Sequence, residues 1–317
     1  MFVCFFPSFF PSLTHYSFCC CCCCCYCYCF PFLFSVTFLP PATQQATLAA
    51  AHLAGVDGFI CVGGAQAIAA MTYGVGIIPC ADVIVGPGNR WVTAAKKLVS
   101  GRVGIDMLAG PSECLVLADN TANPATIAAD LLAQAEHDTD ARPILVTTES
   151  SMIERVNEEI KKQLETLPTG DVARVAVERA GFAMVAKTMK EAMELVDRIA
   201  PEHLEIMTAD SSKDSQSLLN YGGLFIGHQS AEVMGDYGAG PNHVLPTGGT
   251  GRYTGGLSVF TFLAIRTFME LDASNKELKL VAMDAVTVAR VEGLEGHARA
   301  AELRLPEEER PSKRQKN

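Results

Sequence analysis

Cys114-Leu-Val-Leu117, Pro124-Ala-Thr-Ile-Ala-Ala-Asp-Leu-Leu-Ala-Gln-Ala-Glu-His137 and Pro143-Ile-Leu-Val-Thr147, in that order, decide the fold class. Two short apolar runs enclose a segment whose Ile127, Ala128, Leu131 and Leu132 recur at helical spacing, which reads as strand, crossover helix and strand. The same alternation extends in both directions. Toward the N-terminus, residues 42–54 predict a helix, 58–62 a strand running into Gly63-Gly64, 65–71 a helix, 83–85 a strand and 91–99 a helix after Gly86-Pro-Gly-Asn-Arg90. Toward the C-terminus, 150–167 predict an amphipathic helix, 181–185 a weaker strand, 189–199 a helix and 223–226 a buried strand. Residues 257–271 and 278–291 look helical and separate from the rest. The class is therefore α/β with parallel-type sheets and a C-terminal helical extension.

Composition narrows the function. A chain of 317 residues with 49% hydrophobic residues has enough length for one large or two medium cores. Its formal charge of -10 opposes a surface that neutralises nucleic-acid phosphates, so no nucleic-acid partner is expected. Of 13 cysteines, ten precede Phe30, and Cys61, Cys80 and Cys114 are spaced as neither a metal knuckle nor a disulfide framework. They are expected to be small buried thiols in a reducing compartment, for which cytoplasm and plastid stroma both qualify.

Residues 1–41 stand apart. They contain no Lys, Arg, Asp or Glu, and Cys19 to Cys25 is an unbroken cysteine run. The proline-free part approaches the roughly 20 residues that a membrane span takes, but it lacks the flanking cations that orient spans and targeting peptides. Phe, Ser, Pro and Leu can all be encoded by pure pyrimidine codons, so translated non-coding sequence explains the bias better. This segment is expected to lie outside the fold, and no membrane partner is expected.

Four short runs carry the chemistry: Gln134-Ala-Glu-His137, Glu202-His203, Asp236-Tyr-Gly-Ala-Gly-Pro-Asn-His243 and Glu292-Gly-Leu-Glu-Gly-His297. On a 3.6-residue period Gln134 and His137 fall about 60° apart at one edge of the apolar stripe. They fit either donors to one ion at the rim or a helix end with solvated polar groups. Glu202 and His203 fit an exposed acid/base pair at a strand or loop edge. Three glycines and a proline exclude regular structure around residues 235–243, where Asp236 is the natural hard ligand. Glu292 and His297 flank glycines at the end of the helical extension. The turns Gly63-Gly-Ala-Gln66 and Gly86-Pro-Gly-Asn89 lead into helices, whose N-termini attract anions, although neither is a dinucleotide fingerprint.

Taken together, Val62-Gly-Gly-Ala-Gln-Ala-Ile-Ala69, Val85-Gly-Pro-Gly-Asn89, Leu108-Ala-Gly-Pro-Ser-Glu113, Gln134-Ala-Glu-His137, Pro201-Glu-His-Leu204, Gly235-Asp-Tyr237, Gly240-Pro-Asn-His-Val-Leu-Pro-Thr247 and Glu292-Gly-Leu-Glu-Gly-His297 resemble the histidinol dehydrogenases, over residues 42–305. The resemblance implies two incomplete Rossmann-like domains, at 42–111 for nucleotide and 112–256 for zinc and substrate, with a dimerising helical extension at 257–317 that ends in a basic tail. It implies a zinc-requiring, NAD+-dependent alcohol and aldehyde dehydrogenase that converts L-histidinol to L-histidine, the last step of histidine biosynthesis. Zn2+, one per subunit, would be held by Gln134, His137, Asp236 and His297, the last given by the other subunit of a homodimer. Glu202 and His203 would move protons. Ser112 and Glu292 would contact substrate, together with Gln134, His137, His203, Asp236 and His297, and Gln66 and Asn89 would contact the nucleotide.

The family's N-terminal portion, with a nucleotide-contacting tyrosine, has no counterpart here, so the natural protein is expected to be longer. A sheet without its first strands would expose unpaired edges. Two other readings stay open: an inactive remnant that only dimerises and binds metal, and a zinc hydrolase with Glu202 as base, which leaves Gln66 and Asn89 without a role.

Overall fold

In the computed structural model, residues 2–5, 32–35, 41–272 and 277–310 are described. The chain divides into one unit at Met1–Phe262 and another at Leu263–Asn317. The first unit holds two five-stranded sheets. No helix among the described residues is long and apolar enough to cross a membrane.

The first sheet has the order β3-β2-β1-β4-β5, with β1 at Phe2–Phe5, β2 at Phe32–Ser35, β3 at Gly58–Ile60, β4 at Val83–Val85 and β5 at Gly104–Ile105. Helix α1 (Pro41–Ala54) precedes β3, α2 (Gly64–Tyr73) follows it, and α3 (Arg90–Val99) joins β4 to β5. Ile68, Met71, Ile84, Val92 and Val99 form the core of this half. Two four-residue pieces of the segment expected to lie outside the fold are therefore strands between β3 and β4. Strand β1 runs antiparallel to both its neighbours, the exception to an otherwise parallel arrangement. Short, uncharged β-formers suit such a position, because they pair backbone groups that β3 and β4 would otherwise leave open.

The second sheet is parallel throughout, with the order β10-β9-β6-β7-β8. Its strands are β6 (Glu113–Ala118), β7 (Arg142–Thr147), β8 (Phe182–Val185), β9 (His203–Met207) and β10 (Gly223–Ile226). Helices α4 (Pro124–Ala135), α5 (Ser150–Leu164), α6 (Gly170–Ala180), α7 (Met189–Ile199), α8 (Ser211–Asp214) and α9 (Glu232–Asp236) complete this half. Cys114, Val116 and Ala118 pack with α4, α5 and α6, while Leu115 and Leu117 pack with α7. Alternate residues of β6 thus face opposite layers, and all six are buried. Asn123 caps α4, accepting a hydrogen bond from Ala125 N ahead of Pro124.

In the second unit, α10 (Leu278–Val291) packs on α11 (Glu295–Glu302) through Val286, Ala289 and Ala298. The helix expected over 257–271 is absent: a 3-10 turn at Val259–Phe262 is followed by irregular chain to residue 272. The unit boundary accordingly falls after Phe262. Val259, Phe260, Ile265, Phe268 and Met269 are exposed, so this stretch lacks the buried stripe that stabilises a helix.

Candidate active site

The chemical groups gather where β6, β9 and β10 begin. Helix α7 ends at Ala200 in the left-handed conformation (φ 50°), and Pro201 then turns the chain into Glu202 and His203, the first residue of β9. Gly222 on the neighbouring turn has to be glycine, because a Cβ there would lie 2.5 Å from Glu202 O. Glu202 and His203 are 6% and 5% exposed, so the pair is buried rather than set at an open edge. The parallel register pairs His203 with Cys114 and Glu205 with Val116, which turns both polar side chains inward toward α4.

His203 Nδ1 lies 3.0 Å from Glu113 O, 3.1 Å from Glu232 Oε2 and 3.1 Å from the inward-facing end of the Gln134 amide. A carbonyl oxygen only accepts, so Nδ1 carries the proton and donates to Glu113 O, leaving the lone pair on Nε2. Nε2 is buried and has no hydrogen-bond partner. The ring tilts 45° against Phe225, with centroids 6.0 Å apart. Burial holds the imidazole pKa below its usual value, an effect opposed by the bond to Glu113 O and the charge of Asp236 and reinforced by His137 and His243. Glu202 Oε2 accepts from Glu113 N at 2.9 Å and lies 3.9 Å from His203 Nδ1. Burial pushes the Glu202 carboxyl up to about 8; the bond from Glu113 N opposes this, and the charges of Glu113 and Asp236 add to it.

Gln134 is fully buried, not at the rim. Its amide is satisfied when the nitrogen faces inward, donating to Glu232 Oε2 at 2.9 Å and Glu113 O at 3.2 Å, which turns its carbonyl oxygen to the opposite side. His137 lies just beyond the end of α4 and is exposed. Asp236 is half-buried and closes the last turn of α9, so residues 235 and 236 are helical where irregular chain was expected. Among the described residues no three His, Cys, Asp or Glu side chains form a metal cluster. The imidazole of His137 and the carboxylate of Asp236 are nevertheless donor types that suit zinc, with the Gln134 amide oxygen a weaker addition to them.

The nucleotide candidates lie in the first half of this unit. Gln66 is exposed in the first turn of α2. Asn89 caps α3, its side chain accepting from Trp91 N and Val92 N, so its carbonyl is committed and its amide nitrogen remains for a ligand. The Gly86 turn is braced from behind by a buried Lys96–Asp106 ion pair: Lys96 Nζ donates to Gly86 O at 3.0 Å and Gly86 N to Asp106 at 2.7 Å. Ser112 is half-buried just before β6. Glu292 and His297 are exposed in the second unit. Cys61 and Cys80 are exposed, contrary to expectation, because strand β3 stops at Ile60 and Cys80 lies in irregular chain beyond the Val75–Ile78 bridge. Cys114 is buried.

Sequence reasoning missed Glu232 and Glu205. Glu232 opens α9 with its carboxyl against His203 and is raised to about 9, by burial first and then by the charges of Glu205, Asp236 and Glu202. No motif flagged it; the one available signal was an isolated acid between the apolar strand at 223–226 and the Asp236 run.

A buried imidazole whose Nε2 has no partner, beside a burial-raised glutamate at one end of a parallel sheet, marks an α/β protein with side chains of the kind that proton transfer uses. Residues 35–305 match the histidinol dehydrogenase family, and the chain belongs to it. It is 48% identical over 265 residues to histidinol dehydrogenase of Thermus thermophilus, covering 84% of this chain and 64% of that protein. The same identity over 264 residues relates it to the Lactiplantibacillus plantarum enzyme, covering 83% and 61% respectively. The crystal structure of histidinol dehydrogenase from Elizabethkingia anophelis superposes with a TM-score of 0.76 at 38% identity, over 82% of this chain and 59% of that one. The chain thus spans less than two thirds of the length of these relatives.

Proposed function

We propose that this chain oxidises L-histidinol to L-histidine through the aldehyde, passing two hydrides in turn to two NAD+. The observation that carries the reading is the buried, unpartnered Nε2 of His203, whose opposite nitrogen is fixed by Glu113 O. A neutral imidazole held this way accepts the alcohol proton as the carbinol C–H bond breaks. NAD+, contacted through Gln66 and Asn89, supplies the hydride acceptor. In the second stage Glu202, once ionised, takes a proton from water as its oxygen adds to the aldehyde carbon. Loss of the second hydride from that adduct completes the carboxylate.

Gln134, His137 and Asp236, with His297 of the partner subunit in a homodimer, are proposed to hold Zn2+. Its chemistry there is to bind and orient the amino alcohol. The inward-facing amide of Gln134 supports this, since it presents an oxygen rather than a nitrogen on the other side. Ser112 and Glu292 complete the substrate contacts. The test is zinc-loaded full chain with L-histidinol and NAD+. Two NADH per histidine formed is the expected yield; no histidinol-dependent NADH, or one NADH with aldehyde accumulating, refutes the assignment.

A further inference from the structure

Below the proposed centre lies a second pair of acids that the chemistry does not use. Asp130 and Glu205 are 7% and 0% exposed, and their carboxyl groups interact with each other. Asp130 Oδ2 and Glu205 Oε2 are both buried with no hydrogen-bond donor in reach. A proton shared between the two carboxyl groups would supply the missing bond to both oxygens, making the pair one acid and one carboxylate. Burial raises both, Glu205 to about 8 with the Asp130 charge adding to it, which agrees with that protonation. Glu205 uses its other oxygen, Oε1, to accept Glu232 N at 2.7 Å. The pair therefore ties together three elements. Glu205 is two residues from His203 on one face of β9, Asp130 is four residues from Gln134 on one face of α4, and Glu232 opens the helix that ends in Asp236.

We propose that Asp130 and Glu205 are a proton-sharing positioning pair that fixes Glu232 and, through it, the orientation of the His203 imidazole and the Gln134 amide. The inference rests on the function proposed above for its kinetic and zinc readouts, and not for the His203 ring signals. In the full chain, Glu205→Gln keeps both contacts, its amide oxygen accepting Glu232 N and its nitrogen donating to an ionised Asp130. It is expected to stay within threefold of wild type in kcat and zinc affinity. Glu205→Asp pulls the carboxyl back by one methylene and should lower kcat at least tenfold, weaken zinc binding at least tenfold in chelator competition, and leave KM for NAD+ unchanged. Glu205→Ala should do the same more severely, with the Asp variant standing in if it does not fold. The 15N signals of the His203 ring report orientation without turnover: they should move in the Asp variant and not in the Gln variant. Wild-type ring signals and zinc affinity in folded Glu205→Asp overturn the pair's role. Absence of histidinol turnover in wild type overturns the proposed activity instead, while the ring signals still decide the pair.

Discussion

Replacing His203 with Asn tests the proposed base with little disturbance around it. The Asn amide can still donate to Glu113 O, now 3.0 Å from Nδ1, but nothing replaces Nε2, the buried nitrogen without a partner. General-base catalysis contributes roughly 10²–10⁴ in rate, so kcat for histidinol oxidation should fall by that factor, about 2.7–5.5 kcal/mol of barrier. Loss of the tilted contact to Phe225, at 6.0 Å between centroids, should cost about 0.5–1.5 kcal/mol of stability. The assay is steady-state NADH formation, with zinc content and urea unfolding measured on the same preparation. Bound zinc should be unchanged, because His203 is not among the proposed ligands. A folded, zinc-replete variant that keeps kcat within tenfold of wild type refutes the assignment of His203.

Glu202 is raised to about 8, chiefly by burial, so its ionised form is scarce below that pH. Oxidation of supplied aldehyde should therefore speed up with pH and level off above about 8, and Glu202→Gln should remove that dependence; a pH-independent wild-type rate counts against the water-activating role. His137→Ala should abolish stoichiometric zinc binding with the circular dichroism spectrum preserved, and retained zinc after dialysis sinks the ligand assignment. Lys96→Met leaves Asp106 buried without its cation, which should cost about 3–5 kcal/mol in urea unfolding; a loss below about 1 kcal/mol shows the pair to be dispensable. Glu202, Glu205 and Glu232 are raised by burial to about 8, 8 and 9 from 4.5. The folded state holds protons that the unfolded chain has released, so their contribution is full below about pH 4.5 and is lost as pH rises through 8 to 9. Metal-free protein should melt at progressively lower temperature from about pH 5 to about pH 9, and a rising melting temperature over that window contradicts the burial of these acids.

How much of this the sequence disclosed depended on whether burial and pattern agreed. Strands at Val83–Val85 and Gly223–Ile226 and helices at Met189–Ile199 and Leu278–Val291 have the predicted bounds, because apolar periodicity and flanking breakers point the same way. At β9 the sequence suggests only an exposed strand or loop edge: His203 and Glu205 are polar at alternate positions, a pattern that normally marks a solvent face, whereas here both are inside. For the same reason Gln134 reads as an edge residue of α4, open to an ion or to solvent. Polar groups buried for chemistry imitate surface residues in a sequence, since their partners come from other elements, such as Glu113 O and Glu232 for His203. The residues of the site were thus legible as types, but their burial and mutual contacts were not.

The location of the site has an electrostatic logic of its own. Open parallel sheets usually bind ligands beyond the carboxyl ends of the strands, where the strand order reverses. In β10-β9-β6-β7-β8 that point lies between β6 and β9, and there the chain seals itself. Asp119, just past β6, accepts Ala209 N at 2.8 Å and Thr121 N at 2.9 Å, and its own N–H reaches Met207 O at 3.4 Å. A carboxylate bridging this crevice disfavours an anionic pyrophosphate. The opposite end, where β6 and β9 begin, receives the C-termini of α4 and α7, whose unpaired carbonyls carry partial negative charge. That end disfavours phosphate and favours a cation and an imidazole that gains a proton during turnover. In the proposed reading, Gln134, Glu202 and His203 put the chemistry at the cation-attracting face, and nucleotide goes to the helix N-termini of the other sheet, after Gly63 and Asn89.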